Sequence, residues 1–190
     1  MEPLNVGFAL CGSFCTFSRV IPELEALAAK GHRVYPIMSF NAASLDTRFG
    51  KAADHAARIE RACGRKVVAT LTGAEPIGPK KLLDLLIIAP CTGNTLAKLA
   101  NGISDTPVTL AAKAHLRNAR PLLIAVSTND GLTGAARNIG LLQNRRHVYF
   151  VPYGQDDCEG KPASLVADFT RIEAAAALAM EGKQLQPMLV

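Results

Sequence analysis

The chain has 190 residues, of which 49% are hydrophobic and 19% charged, and its formal net charge is +5 at pH 7. This composition excludes a disordered chain, and the lack of Trp with few other aromatic residues argues against a nucleic-acid-binding surface. The positive charge is better suited to an anionic small ligand. The length is typical of one domain, and we expect a single α/β domain over residues 1–182 followed by a C-terminal tail over residues 183–190.

The five cysteines show no CxxC pair and no Cys/His spacing suited to zinc, so we predict no metal site. Their odd number fits a reducing cytoplasm, in which Cys is mostly a small hydrophobic residue. The first ten residues, MEPLNVGFAL, contain an apolar run too short to span a membrane and no basic leader. We therefore expect neither a targeting segment nor a membrane partner.

The first half of the chain alternates between short apolar runs and segments in which apolar residues recur with helical spacing. The apolar runs predict three strands, over residues 4–11, 33–38 and 66–71. Helices are predicted over residues 20–28 and 51–63. Pro36 would be unusual in a central strand. Residues 72–79 contain two Pro and two Gly, and we expect a loop there.

The second half of the chain continues this alternation. Residues 85–89 form an unbroken apolar run, which is typical of a strand buried on both faces. Two further strands are predicted over residues 121–127 and 147–152. Helices are predicted over residues 96–103, 107–116, 133–142 and 164–180. Strands that alternate with helices at this spacing form right-handed βαβ units, so the sequence predicts a three-layer α/β sandwich with parallel strands.

Polar turns follow four of the predicted strands. They contain Gly12 with Ser13, Ser39 with Asn41, residues 92–95, and Ser127 with Asn129. Because the carboxyl ends of parallel strands share one edge of a sheet, we expect these groups to converge on a phosphate and a polar heteroaromatic ring. Helix capping by Ser, Thr or Asn explains any single turn better, but four together favour a mononucleotide site. The first loop lacks GxGxxG and no acidic residue closes the second strand, which argues against a dinucleotide.

The segment PCTGNTLAKLANGISDTPVT, with the GSF loop and the turn over residues 39–41, resembles the flavoprotein family of homo-oligomeric FMN-containing decarboxylases. The resemblance implies bound FMN and a six-stranded parallel sheet of the Rossmann or flavodoxin type. It implies that Gly12, Ser13 and Ser39 face the flavin phosphate. It places Thr92, Asn94 and Thr95 near the flavin ring. The full set of implied cofactor contacts is Gly12, Ser13, Phe14, Ser39, Asn41, Pro90, Thr92, Gly93, Asn94, Thr95 and Ser127.

Four longer segments are similar to one subgroup of this family, which forms the B subunit of a two-component oxidoreductase in sporulating bacteria. They are GSFCTF, PIGPKKLLDLLIIAPCTGNTLAKLANGISDTPVTLAAKAHLRN, STND and YFVPYGQDD. This resemblance implies that the partner is a separate A subunit, that this chain forms a homo-oligomer, and that it is located in the mother-cell cytoplasm. It also implies oxidation of a small cyclic dicarboxylate, with any NAD(P) bound through the partner. The candidate substrate contacts are Asn129, Asp130, Lys80 and Lys81.

Two features of the family decarboxylases are missing from this sequence. Those enzymes carry a catalytic His in the loop before the strand that ends in the Asn-Thr turn, whereas residues 75–78 here are Glu-Pro-Ile-Gly. Residues 127–130 replace the family's Pro-x-Met-Asn substrate motif. The sequence therefore assigns no catalytic residue. It leaves three alternatives: an FMN-binding component of an oxidoreductase, a binding or scaffold component with a vestigial flavin pocket, and a flavin-dependent decarboxylase.

A few single residues carry a possible chemical role beside a plain structural one. Cys91, just ahead of a helix, is either a reactive thiol or a small residue buried in a tight turn. His115, at a helix end, is either a ligand or a cation that suits the helix dipole. The polar run over residues 155–157 predicts a contact with another protein chain or with substrate as readily as a solvated loop.

Overall fold

Seven strands form one mixed sheet flanked by helices in the computed structural model, which describes residues 3–190. The strands are β1 (Asn5–Leu10), β2 (Arg33–Met38), β3 (Leu85–Cys91), β4 (Leu122–Thr128), β5 (Val148–Phe150), β6 (Tyr153–Gly154) and β7 (Leu165–Ala167). The α-helices are α1 (Phe17–Ala29), α2 (Phe40–Ser44), α3 (Ala52–Cys63), α4 (Leu71–Ala74), α5 (Gly93–Ala100), α6 (Pro107–Leu116), α7 (Ala136–Gln143) and α8 (Ile172–Met180). Short 3-10 turns occupy Phe14–Thr16, Glu75–Ile77 and Phe169–Arg171.

The parallel part of the sheet has the order β2-β1-β3-β4-β5, and it holds the most deeply buried side chains. All seven residues of β3 are buried, as expected for a strand covered by helices on both faces. The Rossmann or flavodoxin-like fold class is thereby confirmed. The sheet is nevertheless not the six-stranded parallel sheet that was expected.

The sheet differs from the expected one at the edge of β4 that faces away from β3. Two strands, β5 and β7, pair with this edge. Residues 122–124 of β4 pair in parallel with β5, whereas Ser127 and Thr128 pair antiparallel with β7. The hairpin partner of β7 is β6, also antiparallel. These two strands have three and two residues, too short to give a periodic pattern in the sequence.

The predicted strand over residues 66–71 is wrong. In this segment, Val68 pairs with the sheet in a single isolated bridge to Ile37 of β2. The chain then turns into α4, because the Thr70 hydroxyl accepts a hydrogen bond from Gly73 N at 3.1 Å. The loop expected over residues 72–79 accordingly contains the end of α4 and a 3-10 turn.

The predicted helix over residues 164–180 is only partly correct. Its first residues form β7, and α8 begins at Ile172. Asp168 separates the two, because its carboxylate accepts a hydrogen bond from Thr170 N at 3.2 Å and starts a 3-10 turn. Ala-rich spacing does not reveal this break, since Leu165 and Ala167 suit a strand as well as a helix.

Pro36 is accommodated because β2 lies at the sheet edge. Its carbonyl points outward and accepts a hydrogen bond from Val68 N at 2.9 Å, so the missing N–H removes no bond to β1. Within residues 3–190, no helix is long and apolar enough to cross a membrane.

Residues 183–190 lie along the β5–β6 edge of the sheet. The side-chain amide of Gln184 accepts from Phe150 N at 2.8 Å and donates to Phe150 O at 2.7 Å. Tyr153 N donates to Met188 O at 3.0 Å, and Val190 N donates to Tyr153 O at 3.2 Å. The tail therefore supplies hydrogen bonds to the edge that a strand would otherwise supply.

Candidate functional site

A cleft of about 830 Å³ lies at the carboxyl ends of β1, β3 and β4. This volume is within the range of about 300–1,000 Å³ that is typical of small-molecule sites. The predicted residues that line the cleft are Gly12, Ser13, Phe14, Thr92, Gly93, Asn94, Ser127, Asn129 and Asp130. Three of the four polar turns thus converge as expected, since the strands before them are parallel.

The amino end of α5 provides hydrogen-bond donors to the cleft. Thr92 is the N-cap residue, and its hydroxyl accepts a hydrogen bond from Thr95 N at 3.3 Å. Among residues 3–190, the backbone N–H groups of Gly93 and Asn94 have no hydrogen-bond partner. Free N–H groups at a helix start are suited to binding an anion or a carbonyl oxygen.

Gly93 allows α5 to start directly against the turn that follows β4. A Cβ atom at this position would lie 2.6 Å from Thr128 Oγ1 and 2.8 Å from Asp130 Oδ1. The Thr128 hydroxyl donates a hydrogen bond to the same Asp130 carboxylate. A side chain at residue 93 would therefore disrupt this turn, and only glycine fits without movement.

The first loop is joined to the end of β4 by two hydroxyl groups. Ser13 Oγ lies 2.8 Å from Ser127 Oγ, and the Thr16 hydroxyl donates to Ser13 O at 2.8 Å. The side chains of Ser13 and Ser127 thus form one polar floor, although their residues are far apart in sequence.

Four of the predicted cofactor contacts do not line the cleft. Ser39 caps α2, because its hydroxyl accepts a hydrogen bond from Ala42 N at 3.3 Å, and Asn41 lies beside it. Thr95 is buried and donates to Cys11 Sγ at 3.2 Å. Pro90 is also buried, and its carbonyl accepts from Cys11 N at 3.2 Å. Ser39, Thr95 and Pro90 are thus buried behind the cleft walls, whereas Asn41 is exposed, and its Cβ lies 3.7 Å from where a Cβ at Gly12 would be.

Lys80 and Lys81, the two predicted substrate contacts in the loop before β3, do not line the cleft either. They precede β3, and Lys81 O lies 3.4 Å from Arg120 Nη1 near the start of that strand. Because the cleft follows the carboxyl ends of the strands, these lysines lie at the opposite edge of the sheet.

Several residues that line the cleft are missing from the predicted set. They are Cys15, Thr16, Arg19, Phe49, Thr128, Asp156, Lys161, Ser164 and Val166. The polar run over residues 155–157 was the one signal in the sequence that pointed toward this wall. Residues 155–164 reach the cleft because they connect β6 to β7, which pairs with the end of β4.

The thiol and the histidine singled out in the sequence, Cys91 and His115, are both buried away from the cleft. Cys91 is fully buried, and burial raises the pKa of its thiol well above the ordinary value. Burial likewise raises the pKa of Cys11 to about 11. Burial lowers the pKa of His115 to about 4, and its Nε2 lies 2.9 Å from Pro121 O. In the described part of the chain, no His lines the cleft.

Comparison with known proteins agrees with the resemblance found in the sequence. The family model described as Flavoprotein matches residues 1–168. The B subunit of dipicolinate synthase from Bacillus subtilis (strain 168) is 43% identical over 98% of this chain and 93% of its own length. The crystal structure of the B subunit of dipicolinate synthase from Bacillus halodurans C is 40% identical and superposes with a TM-score of 0.90, over 98% of this chain and 96% of its own.

A more distant structure supports the fold. The FMN-dependent cysteine decarboxylase SpaF is 21% identical, with a TM-score of 0.70 over 94% of this chain and 97% of its own. The match to the family model covers most of the chain, and the two closely similar relatives extend over almost all of it. The chain therefore belongs to the Flavoprotein family.

Proposed function

We propose that this chain is the FMN-binding B subunit of a dipicolinate synthase, which acts with the A subunit of that enzyme to oxidise dihydrodipicolinate to dipicolinate during sporulation. The observation that carries this proposal is the cleft at the carboxyl edge of the sheet, where the open start of α5 meets the hydroxyl groups of Ser13 and Ser127. The 43% identity to the B subunit of a dipicolinate synthase supports the choice of reaction.

The donors in the cleft match the chemistry of FMN. The phosphate of FMN needs hydroxyl and N–H donors, which the loop at Gly12 and Ser13 offers. The flavin ring presents carbonyl and ring-nitrogen groups, for which Thr92, Asn94 and the N–H of Gly93 are suitable partners. We therefore assign these residues to the cofactor, with Phe14 as an apolar wall.

Bound FMN supplies an acceptor for a hydride from the substrate ring. The residues of the chain have to orient substrate and acceptor and exclude water, because formation of an aromatic product already favours the oxidation. Asn129 lies beside the cofactor residues on the turn after β4 and is proposed as a substrate contact. Asp130 is proposed to hold this turn in place through its contacts with Thr128.

The wider assembly is part of the same proposal. We place the protein in the mother-cell cytoplasm as a homo-oligomer that contacts the A subunit, which would bind any NAD(P). Residues 72–79, which connect the bridge at Val68 to β3, are proposed to reach the cleft of a neighbouring copy.

An FMN titration of the purified protein tests the cofactor assignment. Absorbance near the flavin bands and quenching of flavin fluorescence are recorded with the chain alone and in the presence of the A subunit. Saturable binding of FMN at one site per chain is expected. Absence of binding under both conditions would refute the flavin part of the proposal.

A binding component with a vestigial flavin pocket is the second candidate. It is favoured by the lack of a His among the described residues that line the cleft and by the Glu-Pro-Ile-Gly sequence at residues 75–78. In this case, Asn94→Ala and Ser13→Ala would leave the activity of the two-component complex unchanged. If the chain instead binds FMN as proposed, both substitutions would lower the activity of the complex and the affinity for FMN.

A further inference from the structure

Arg19 and Lys161 are the only cationic residues that line the cleft within residues 3–190. Arg19 lies in the first turn of α1, directly after the first loop. Lys161 lies in the segment that connects β6 to β7. Neither side chain is needed for the neutral donor set assigned to FMN, so their presence in the cleft requires another explanation.

Both cations lie toward the same wall of the cleft. Arg19 Cζ lies 5.0 Å from the ring centroid of Phe169, two residues beyond β7. Lys161 lies four residues before β7. The neutral donors come instead from α5 and the end of β4. The cleft thus has a cationic part, formed by Arg19 and Lys161 with Asp156 beside Lys161, and a part with neutral donors, here called the neutral part, whose turn after β4 also carries Asp130.

The guanidinium of Arg19 is available for a ligand. Among the described residues, no carboxylate oxygen lies within 4.0 Å of it, and it forms no hydrogen bond. The guanidinium packs over the Phe169 ring while its N–H groups stay unpaired among the described residues, which leaves them available for bidentate binding of a carboxylate.

Lys161 also forms only a weak contact, in the described part of the chain, with a carboxylate of the protein. Its Nζ lies 3.4 Å from Asp156 Oδ2, and the two side chains are 58% and 30% exposed. An exposed ion pair of this length contributes little to stability, so a ligand carboxylate can replace Asp156 as the partner of Lys161.

We infer that Arg19 and Lys161 bind the two carboxylates of a small dicarboxylate substrate, one at each cation. This inference rests on the proposed function, because it concerns the substrate of the same cleft. An oxyanion at these residues has a second possible source, the phosphate of FMN. The experiment below separates the two sources.

Arg19→Gln and Lys161→Gln are compared with wild type and with Arg33→Gln, which removes the same charge from an exposed residue at the amino end of β2. Calorimetry measures binding of pyridine-2,6-dicarboxylate and pyridine-2-carboxylate to each protein with and without FMN. Separate titrations measure FMN and riboflavin. Circular dichroism verifies the fold of each variant.

We expect wild type and Arg33→Gln to bind the dicarboxylate at least about tenfold more tightly than the monocarboxylate, since a hydrogen bond to a charged group contributes this much or more. Arg19→Gln and Lys161→Gln should each lose most of this preference and retain the affinities for FMN and riboflavin. Unchanged dicarboxylate binding in both variants, or no binding by wild type, would overturn the inference. Loss of FMN affinity with riboflavin affinity retained would assign the cations to the flavin phosphate instead. If wild type binds the dicarboxylate but not FMN, and both variants lose the preference for the dicarboxylate, the proposed cofactor fails while the inference about these two residues stands.

Discussion

Substitution of Gly93 by Ala tests whether the start of α5 must lie against the turn after β4. The added Cβ would approach Thr128 Oγ1 to 2.6 Å and Asp130 Oδ1 to 2.8 Å, far inside normal contact distances. Overpacking of this kind costs about 1–3 kcal/mol. Ala in place of Gly recovers about 0.4–1 kcal/mol through the lower entropy of the unfolded chain. We therefore expect Gly93→Ala to lower the free energy of unfolding by about 1–2 kcal/mol.

The same substitution should weaken FMN binding, because α5 and the turn move apart and the free N–H groups of Gly93 and Asn94 change position. Urea unfolding and FMN titration measure the two effects. Gly140→Ala is the matched control: this glycine lies within α7 and a Cβ there would meet nothing within 4 Å. The control should gain about 0.5–1 kcal/mol and retain FMN affinity. If Gly93→Ala is as stable as Gly140→Ala and binds FMN like wild type, the assigned close approach is wrong.

Three further predictions concern the floor of the cleft, pH dependence and thiol reactivity. Ser13→Ala and Ser127→Ala should each weaken FMN binding about three- to tenfold. Because the two hydroxyl groups are hydrogen-bond partners, the double variant should lose less binding free energy than the two single variants together. Additive losses would contradict this expectation. The pKa of His115 is lowered from 6.5 to about 4 by burial, so the unfolded state binds the proton first and stability falls as pH drops from about 6.5 toward 4. Urea unfolding should show about 2 kcal/mol less stability at pH 5 than at pH 7 from this residue, and His115→Gln should remove that part of the difference. Cys15 is exposed in the cleft, whereas Cys91 is buried. A thiol reagent should therefore modify Cys15 in the native protein, more slowly when FMN is present, and should modify Cys91 only after unfolding. Modification of Cys91 in the native protein as fast as Cys15 would refute its burial.

The central parallel strands β3 and β4 were predictable from sequence because residues 85–89 and 122–126 are apolar without interruption. Strands β3 and β4 are buried on both faces, so local sequence and tertiary environment favour the same structure. The segment at residues 66–71 has only Val67 and Val68 as a strongly apolar pair, and side-chain capping by Thr70 determines its conformation instead. Hydrogen bonds of this kind depend on single residues and leave no periodic pattern.

The neutral part of the cleft was predictable for the same reason: a polar turn after a buried parallel strand must lie at the ligand-binding edge. The cationic part was not. Arg19 belongs to α1, whose apolar spacing predicts only the buried face of the helix. Lys161 reaches the cleft because β6 and β7 pair with the open edge at the end of β4. The position of Lys80 and Lys81 was misjudged although the sequence specifies it: residues that precede β3 lie at the amino ends of the parallel strands, whereas the cleft lies at the carboxyl ends.

The shared edge of β4 has a consequence for how the family can diversify. Within residues 3–190, the wall formed by residues 155–167 pairs with the parallel sheet at two residues of β4, Ser127 and Thr128. Insertions or deletions before β7, in residues 155–164, therefore leave in place the strands that carry the residues proposed to bind FMN. Under the proposed assignment, the residues for FMN and for the substrate lie on separately alterable parts of the chain, so a related chain can take a different substrate while its FMN residues are kept.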